Sequence, residues 1–481
     1  MSRAKVFCAS NLFAGVILFS VASAGANVSS NRTLEGSWLG ALKVSGIEVR
    51  IVFNVKTDPN GTLIASLDSP DQGATGIVVD RVVFDAGKVT FESTSIHGRF
   101  EGTMSEDGSN IEGKWTQSGI SLPLTIKHVT EVPKPNRPQE PKKPYPYLEE
   151  EVTYRNVEDD VTLAATLTMP SSGGPFPAVV LITGSGAEDR NETVFGHRPF
   201  LVLADFLTRR GIAVLRADDR GVGGSTGDVP NATSEDFARD ALAGIAYLKT
   251  RKEIDPKHLG LIGHSEGGII APIAAVQSKD VSFIVLMAGP GVSGEQIVEG
   301  QIVRLLKSAG AEQAVIDSSL AAQRRVCAIV KEETNVETLK EKAREAIAES
   351  ISRLDDRQKQ AIGVSDAYVD MQVQALASPW FRYFLTYDPR PTLMKVKCPV
   401  LAINGSLDVQ VNADENLSQI EQALKAGGNV NVTIRKLPGL NHLFQSARTG
   451  AIDEYAKIEE TIAPSALEAI ATWIESQTRP R

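Results

Sequence analysis

The chain has 481 residues, 42% of them hydrophobic and 23% charged, the composition of an ordinary globular protein with sizeable cores. Length alone allows two or three domains. The net charge of −9 comes with no stretch dense in Lys and Arg, which argues against a nucleic-acid partner.

At the N-terminus Arg3 and Lys5 precede a short apolar run from Leu12 to Ala22, and small residues follow, offering cleavage after Ala24 or Ala26. Residues 1–26 therefore read as a secretory signal peptide, and the protein as exported, periplasmic or extracellular. A membrane anchor is the competing reading, but a spanning helix needs about 20 apolar residues and this run is about half that. The mature protein is expected to have no stable membrane span. Cleavage would remove Cys8 and leave Cys327 and Cys398, which is no disulfide framework but allows one bridge in an oxidising compartment.

Residues 28–130 carry a period-two pattern. Ile47 to Lys56 alternates apolar and polar side chains, as a half-buried strand requires. Turn signals at Asp58-Pro59-Asn60-Gly61, Asp85-Ala86-Gly87 and Glu106-Asp107-Gly108 separate further candidate strands near 62–68, 77–84, 88–93, 98–104, 110–117 and 121–128. Seven or eight antiparallel strands in this length predict a small barrel or sandwich. His97 and His128 read as solvated or hydrogen-bonded strand residues rather than ligands.

Residues 132–147, VPKPNRPQEPKKPYPY, hold six prolines. Such a stretch favours extended polyproline conformation, so 131–147 reads as a semi-rigid linker. Over 148–481 the rhythm changes to apolar strands (178–183, 212–216, 259–262, 283–288, 399–404) alternating with helical stretches such as 199–210 and 235–250. That is the signature of a parallel sheet covered on both faces. Between about 290 and 390 there is no good strand, only helical stretches such as 296–308 and 335–353. An insertion of that size predicts a cap over the C-terminal edge of the sheet, where such sheets bind ligands, rather than a subdomain packed beside the core.

Two serines sit in a G-x-S-x-G pattern. Ser265, in LGLIGHSEGG (259–268), has an apolar strand running in and a helical run, Ile269 to Val276, leaving. A nucleophile elbow needs both, because the sharp turn lifts the hydroxyl above the sheet edge beside a helix N-terminus. Ser225, in Gly223 to Gly227, has neither and reads as a loop serine. A serine needs a base, and on such a sheet the chain order is serine, acid, histidine. After Ser265 the chain has one histidine, His442, on a glycine-bearing loop after the strand-like run Val430 to Leu437. The acid should follow the preceding strand, where Asp408 stands. Asp414 and Glu415 are the fallbacks, at positions suited to a helix start. An oxyanion hole needs two converging backbone N–H groups. One is expected from Glu266, the other from the loop Ile182-Thr183-Gly184-Ser185-Gly186, with Ser185 first and Gly186 next.

With these residues in place the sequence resembles an α/β-hydrolase, and more narrowly exported bacterial carboxylesterases related to the serine aminopeptidase and acyl-peptidase branches. The resemblance covers about 150–481. It rests on LITGSGAEDRNE (181–192), AVLRADDRGVGGSTGD (213–228), LIGHSEGG (261–268), MAGPGVSG (287–294), NGSLDVQV (404–411) and GLNHLF (439–444) together. It implies Ser265 as nucleophile, Asp408 as acid and His442 as base. Thr183 stands where many such hydrolases have histidine. Asp189, Arg190 and Arg220 are expected to brace loops through ion pairs, with a direct substrate role as the lesser reading. The chemistry implied is acyl transfer to a small-molecule ester or acyl substrate, with no cofactor and no metal. A serine peptidase is the alternative, and an inactive hydrolase fold acting as an envelope binding protein a further one. The β-rich domain is left to oligomerisation (a homo-oligomer could form), localisation or access of larger substrates.

Overall fold

A computed structural model of the protein describes residues 33–44, 47–72, 74–117, 120–132, 136–308, 310–353 and 366–478. The expected signal segment, 1–26, lies outside the described residues. The chain divides into two compact units, one comprising residues up to 136 with 194–196 and 335–375, the other 137–193, 197–334 and 376–481.

The first unit contains one antiparallel sheet of nine described strands: β1 (Gly36–Val44), β2 (Ile47–Thr57), β3 (Leu63–Ser69), β4 (Ala74–Val79), β5 (Arg81–Asp85), β6 (Lys88–Ser93), β7 (Gly98–Met104), β8 (Asn110–Gln117) and β9 (Ile120–Val129). Their order is β4-β3-β2-β1-β9-β8-β7-β6-β5, so β4 and β5, consecutive in sequence, are opposite edges of a barrel-like sheet. The expected single strand 77–84 is therefore two strands, and the count rises from seven or eight to nine. The break falls at Asp80, whose carboxylate accepts from the Thr94 amide at 2.6 Å, while Ser93 Oγ donates to the Val78 carbonyl at 2.7 Å across the seam. Inside, Phe53 stacks on Phe91 with ring centroids 4.3 Å apart, and Trp38, Phe100 and Trp115 complete a closed aromatic core. His97 is exposed in a turn, and His128 is exposed with its ring edge-on to Trp38.

The second unit is built on an eight-stranded sheet: β10 (Tyr147–Asn156), β11 (Val161–Pro170), β12 (Phe176–Ile182), β13 (Ala213–Ala217), β14 (Ile254–His264), β15 (Phe283–Met287), β16 (Val400–Gly405) and β17 (Val432–Leu437), in the order β10-β11-β13-β12-β14-β15-β16-β17. From β13 to β17 the pairing is parallel, and β10 and β11 join it antiparallel. The parallel strands are where the apolar runs predicted them. Helices α1 (Pro199–Arg209), α2 (Ser234–Lys249) and α3 (Gly267–Gln277) follow β12, β13 and β14. Strand order reverses between β13-β12 and β12-β14, which opens a crevice at the carboxyl ends of β12 and β14. This is the α/β-hydrolase arrangement, with a helical insertion between β15 and β16.

That insertion carries helices Gly294–Ser308, Gln313–Glu332, Val336–Ser352, Asp366–Ala377, Pro379–Thr386 and Arg390–Leu393, with no strand among the described residues. No helix among the described residues is long and apolar enough to cross a membrane. Cys327 and Cys398 are free thiols, so the bridge that the sequence allows does not form. The later half of the proline-rich stretch is held on the second unit. Arg137 donates to the Ala456 and Ile458 carbonyls at 3.1 Å, and Gln139 accepts from the Ile462 amide at 3.1 Å.

The motif-bearing loop after β13 is pinned by ions. Arg220, buried, contacts Asp240 of α2 and Asp159 of the β10–β11 turn, each at 2.7 Å. Arg190 pairs with Asp218 at 2.8 Å and with Glu151 of β10. Asp189 differs from expectation: it accepts from Asn191 and Thr193 amides and the Thr193 hydroxyl, organising its own turn by hydrogen bonds. Breaking a buried ion pair from one side leaves the other charge uncompensated, which costs about 3–5 kcal/mol. Arg220→Ala is thus expected to lose stability of that order in urea unfolding while the folded fraction keeps its activity within about threefold (about 0.65 kcal/mol of barrier). A direct substrate role would invert the pattern, with activity lost and stability kept.

Candidate active site

The elbow is made by strain and small residues. Ser265 follows β14 directly, with φ at +52°, a left-handed conformation that a non-glycine residue adopts only when its surroundings hold it there. Its amide donates to the Met287 carbonyl at 2.8 Å, and its carbonyl accepts from Gly268 as α3 begins. A Cβ at Gly263 would lie 1.9 Å from the Gly267 carbonyl oxygen, and one at Gly267 would lie 2.4 Å from that of Ile182, so strand and helix meet only as glycine.

Two loops bring partners to the serine. After β16, Asp408 lies buried in a turn that is tied by Asn404 Nδ2 donating to the Val411 carbonyl at 2.8 Å. Asp408 Oδ1 accepts the amides of Gln410 and Val411, both at 2.8 Å. After β17, the Asn441 side-chain oxygen accepts from the Leu443 and Gln445 amides, folding a tight turn that projects His442. His442 Nδ1 stands 2.7 Å from Asp408 Oδ2, and His442 Nε2 stands 3.1 Å from Ser265 Oγ. The three residues picked from chain order thus form one hydrogen-bonded series. The fallbacks are elsewhere: Asp414 pairs with Lys436 at 2.7 Å, and both it and Glu415 occupy the exposed first turn of helix Ala413–Ala426. Ser225 is used structurally, its Oγ donating to the Asp218 carbonyl and accepting the Ala164 amide.

The loop after β12 passes beside the nucleophile, and a Cβ at Gly184 would lie 3.3 Å from that of Ser265. The Gly184 amide is occupied by Glu192 at 2.8 Å. The amides of Ser185, Gly186 and Glu266 have no protein acceptor among the described residues. Thr183, at the position where histidine is common, donates its hydroxyl to Asp219 at 2.8 Å, so it anchors the loop from below. Burial holds the Asp219 carboxyl well above the usual range, against the hydrogen bonds from Thr183 and the Glu188 amide. Burial, and then the charges of Glu192 and Asp189, push the Glu188 carboxyl up to about 8. It faces the same loop, with Oε1 3.4 Å from where a Gly186 Cβ would be.

Two side chains have more to do than the sequence shows. Glu266 is buried, and its carboxylate accepts from Ser234 Oγ at 2.6 Å and from Trp380 Nε1 at 2.9 Å, with a further bond from the Ser185 hydroxyl. Burial raises its pKa and those three donors oppose the rise. The helix Pro379–Thr386 of the insertion therefore rests on the residue after the serine. His264, the residue before it, is buried between Glu192 at 2.8 Å and the His442 carbonyl at 3.0 Å. The only sequence signal was that both variable positions of the G-x-S-x-G pattern hold ionisable residues inside an apolar run. Among the described residues no group of three His, Cys, Asp or Glu could hold a metal ion.

The chain is similar to a named esterase and to a peptidase family model, which supports a hydrolase of the esterase or peptidase type. Esterase EstD of Thermotoga maritima is 28% identical over 322 residues, covering 66% of this chain and 67% of that protein. Among solved structures, the Pyrococcus furiosus esterase Pf2001 aligns at 16% identity and a TM-score of 0.42 over 69% of this chain and 91% of that one. The α/β hydrolase GrgF from Penicillium aligns at 15% and 0.41 over 69% and 99%. The family model of X-Pro dipeptidyl-peptidase (S15) matches residues 159–437, a span that holds Ser265 and Asp408 and stops just short of His442. That span is more than half of the chain, which belongs to the X-Pro dipeptidyl-peptidase (S15) family of hydrolases.

Proposed function

We propose that the protein hydrolyses carboxylic esters through an acyl-enzyme on Ser265. The observation that carries this is the series Asp408–His442–Ser265, with spacings of 2.7 and 3.1 Å, at a serine whose backbone is held at φ +52°. Ser265 Oγ donates to His442 Nε2, and as Oγ attacks the carbonyl carbon the imidazole takes that proton and later returns it to the leaving alkoxide. Asp408, fixed by two backbone amides, holds the ring in the tautomer with Nδ1 protonated and stabilises the imidazolium. Water then repeats the sequence and releases the acid. The developing oxyanion is assigned to the Glu266 and Ser185 amides, with Gly186 next in the same loop.

Ester cleavage is supported by the similarity to a named esterase along two thirds of the chain. A peptidase reading is favoured by the family match. The expected outcome on parallel panels is turnover of short p-nitrophenyl esters at least tenfold above that of aminoacyl and X-Pro dipeptidyl amides (about 1.4 kcal/mol). The reverse ranking makes the protein a peptidase. Ser265→Ala is expected to lower kcat about 10⁴-fold or more and to abolish fluorophosphonate labelling, while Ser225→Ala keeps both. Labelling that survives in Ser265→Ala would remove the nucleophile assignment.

Export is the remaining part of the proposal, supported by the charged, apolar and small-residue segments of 1–26. Fractionated cells should hold the protein outside the cytoplasm, with a mature N-terminus at Gly25 or Asn27. An intact N-terminus in the cytoplasmic fraction would refute it.

A further inference from the structure

His264 lies one residue before the nucleophile, yet its ring points away from the substrate side into the protein, where both nitrogens are used. Nε2 stands 3.0 Å from the backbone carbonyl of His442, and Nδ1 stands 2.8 Å from Glu192 Oε1. A carbonyl can only accept, so Nε2 carries a proton. Glu192 Oε1 already accepts the Gly184 amide at 2.8 Å, and a carboxylate that accepts there takes a second donor from Nδ1. The ring is thus an imidazolium with two N–H bonds, and the carboxylate joins it to the oxyanion loop. Both side chains are buried, 7% and 6% exposed, so the pair is fully desolvated and intolerant of losing one partner. Glu192 itself sits at φ +53°, a second left-handed residue that its contacts must hold in place.

From this geometry we propose that Glu192 and His264 are a positioning pair that fixes the His442 loop and the oxyanion loop as one unit, and that loss of the second ring proton at alkaline pH uncouples them and lowers kcat. The proposal rests on the Ser265 reading above. Neither residue touches substrate. His264 donates to the backbone of the proposed base, and Glu192 accepts from His264 and from the Gly184 amide, which sets where the Ser185 amide lies. Both reacting elements, base and oxyanion donor, come from separate loops, after β17 and after β12, and this pair is a direct hydrogen-bonded bridge between them.

The groups facing the ring are Glu192 and, farther off, Glu188 from the loop after β12, and Asp408 and His442 from the loops after β16 and β17. Burial pulls the imidazole pKa down, but the Glu192 charge and hydrogen bond, the His442 carbonyl and the Asp408 charge more than offset it and hold it at about 9. The sign follows. A pKa raised in the folded protein means that the bridge is complete below the unfolded value of about 6.5 and is lost as pH rises through about 9.

The test is the pH profile of kcat and KM on a p-nitrophenyl ester, normalised to active sites counted by fluorophosphonate, for the wild type and Glu192→Gln. The amide oxygen can still accept from Gly184, so the loop keeps its anchor while the carboxylate charge and the titration are removed. The wild type is expected to lose kcat above about pH 9. Glu192→Gln is expected to show kcat lower by about tenfold, KM within about twofold, and no fall through pH 9 (tenfold being about 1.4 kcal/mol). Glu188→Gln serves as the control and should retain the alkaline fall. An unchanged alkaline limb and kcat in Glu192→Gln overturn the proposal, as does a mere reduction in countable sites with an unchanged limb. Nitrogen-15 NMR of the wild type, with the His264 signals assigned from His264→Gln, reads the pair without relying on activity. Two ring N–H protons at pH 8 that fall to one near pH 9 support it, and a single proton at pH 8 sinks it. Hydrolysis surviving in Ser265→Ala would remove the nucleophile assignment and leave the NMR result standing.

Discussion

The arrangement at the carboxyl edge of the second sheet follows from a backbone that reverses at Ser265 with φ at +52°. A left-handed serine costs on the order of 1–3 kcal/mol and persists only if its surroundings over-determine it. Here the end of β14, residues 259–264, enters buried, the start of α3, residues 267–274, leaves buried, and the Met287 carbonyl holds the turning amide. Because the core on both sides of the turn is packed, the hydroxyl has one direction available, out of the sheet edge. Every other participant is then brought to it by a loop: after β12, after β16 and after β17. Precision in those loops comes from local hydrogen bonds to Asn404, Asn441, Asp189 and Thr183, which spend their side chains on their own backbones or neighbouring loops.

What the sequence reveals of this depends on how local the signal is. The buried stretches of β12 to β16 read as short apolar runs, 178–182 and 259–262 among them, while the first half of β14, Asp255 to His258, is partly exposed and breaks the run. The antiparallel pair β10 and β11 was not legible. Its first strand carries Glu149-Glu150-Glu151 in succession, which looks like a solvated stretch. In the structure Glu150 pairs with Arg251, Glu151 with Arg190, and Glu149 faces Arg216, partners 39 to 101 residues away. In the barrel the run 77–84 looks continuous, and only the closure of the sheet shows that Asp80 splits it between two edges. Pattern reading sees alternation, and closure is a property of nine strands together.

At the site the same division holds. Ser265, Asp408 and His442 could be chosen from chain order and strand ends, because each stands where a parallel strand stops. Glu192 and His264 could not, since neither sits in a motif that names a partner and their bond spans 72 residues. A buried ion pair is visible only once two loops are known to meet. Gly263 was legible for the same reason as the serine, because the approach it permits, to the Gly267 carbonyl, lies within five residues of chain; the approach of Gly267 to Ile182 was not.

Glu266 shows how a position can hold two functions at once. Its backbone amide lies at the place assigned to one oxyanion donor, while its carboxyl, 2% exposed, binds Ser234 of α2, Trp380 of the insertion and the hydroxyl of Ser185. The second oxyanion donor is assigned to that same Ser185. A shift of helix Pro379–Thr386 would therefore pull on the carboxyl that orders both donors. The charge sits close to where a negative oxygen would develop, which is unfavourable by Coulomb's law unless its field is taken up locally. Three donors, all neutral, take it up in part by stabilising the charged form, while burial opposes them by favouring the protonated form. The residue after the nucleophile is thus chosen against its electrostatics for what it connects. The insertion meets the reaction centre at Glu266 and again at the Asp408 loop, where Arg304 of helix Gly294–Ser308 donates to the Val409 and Gln410 carbonyls at 3.0 and 3.1 Å.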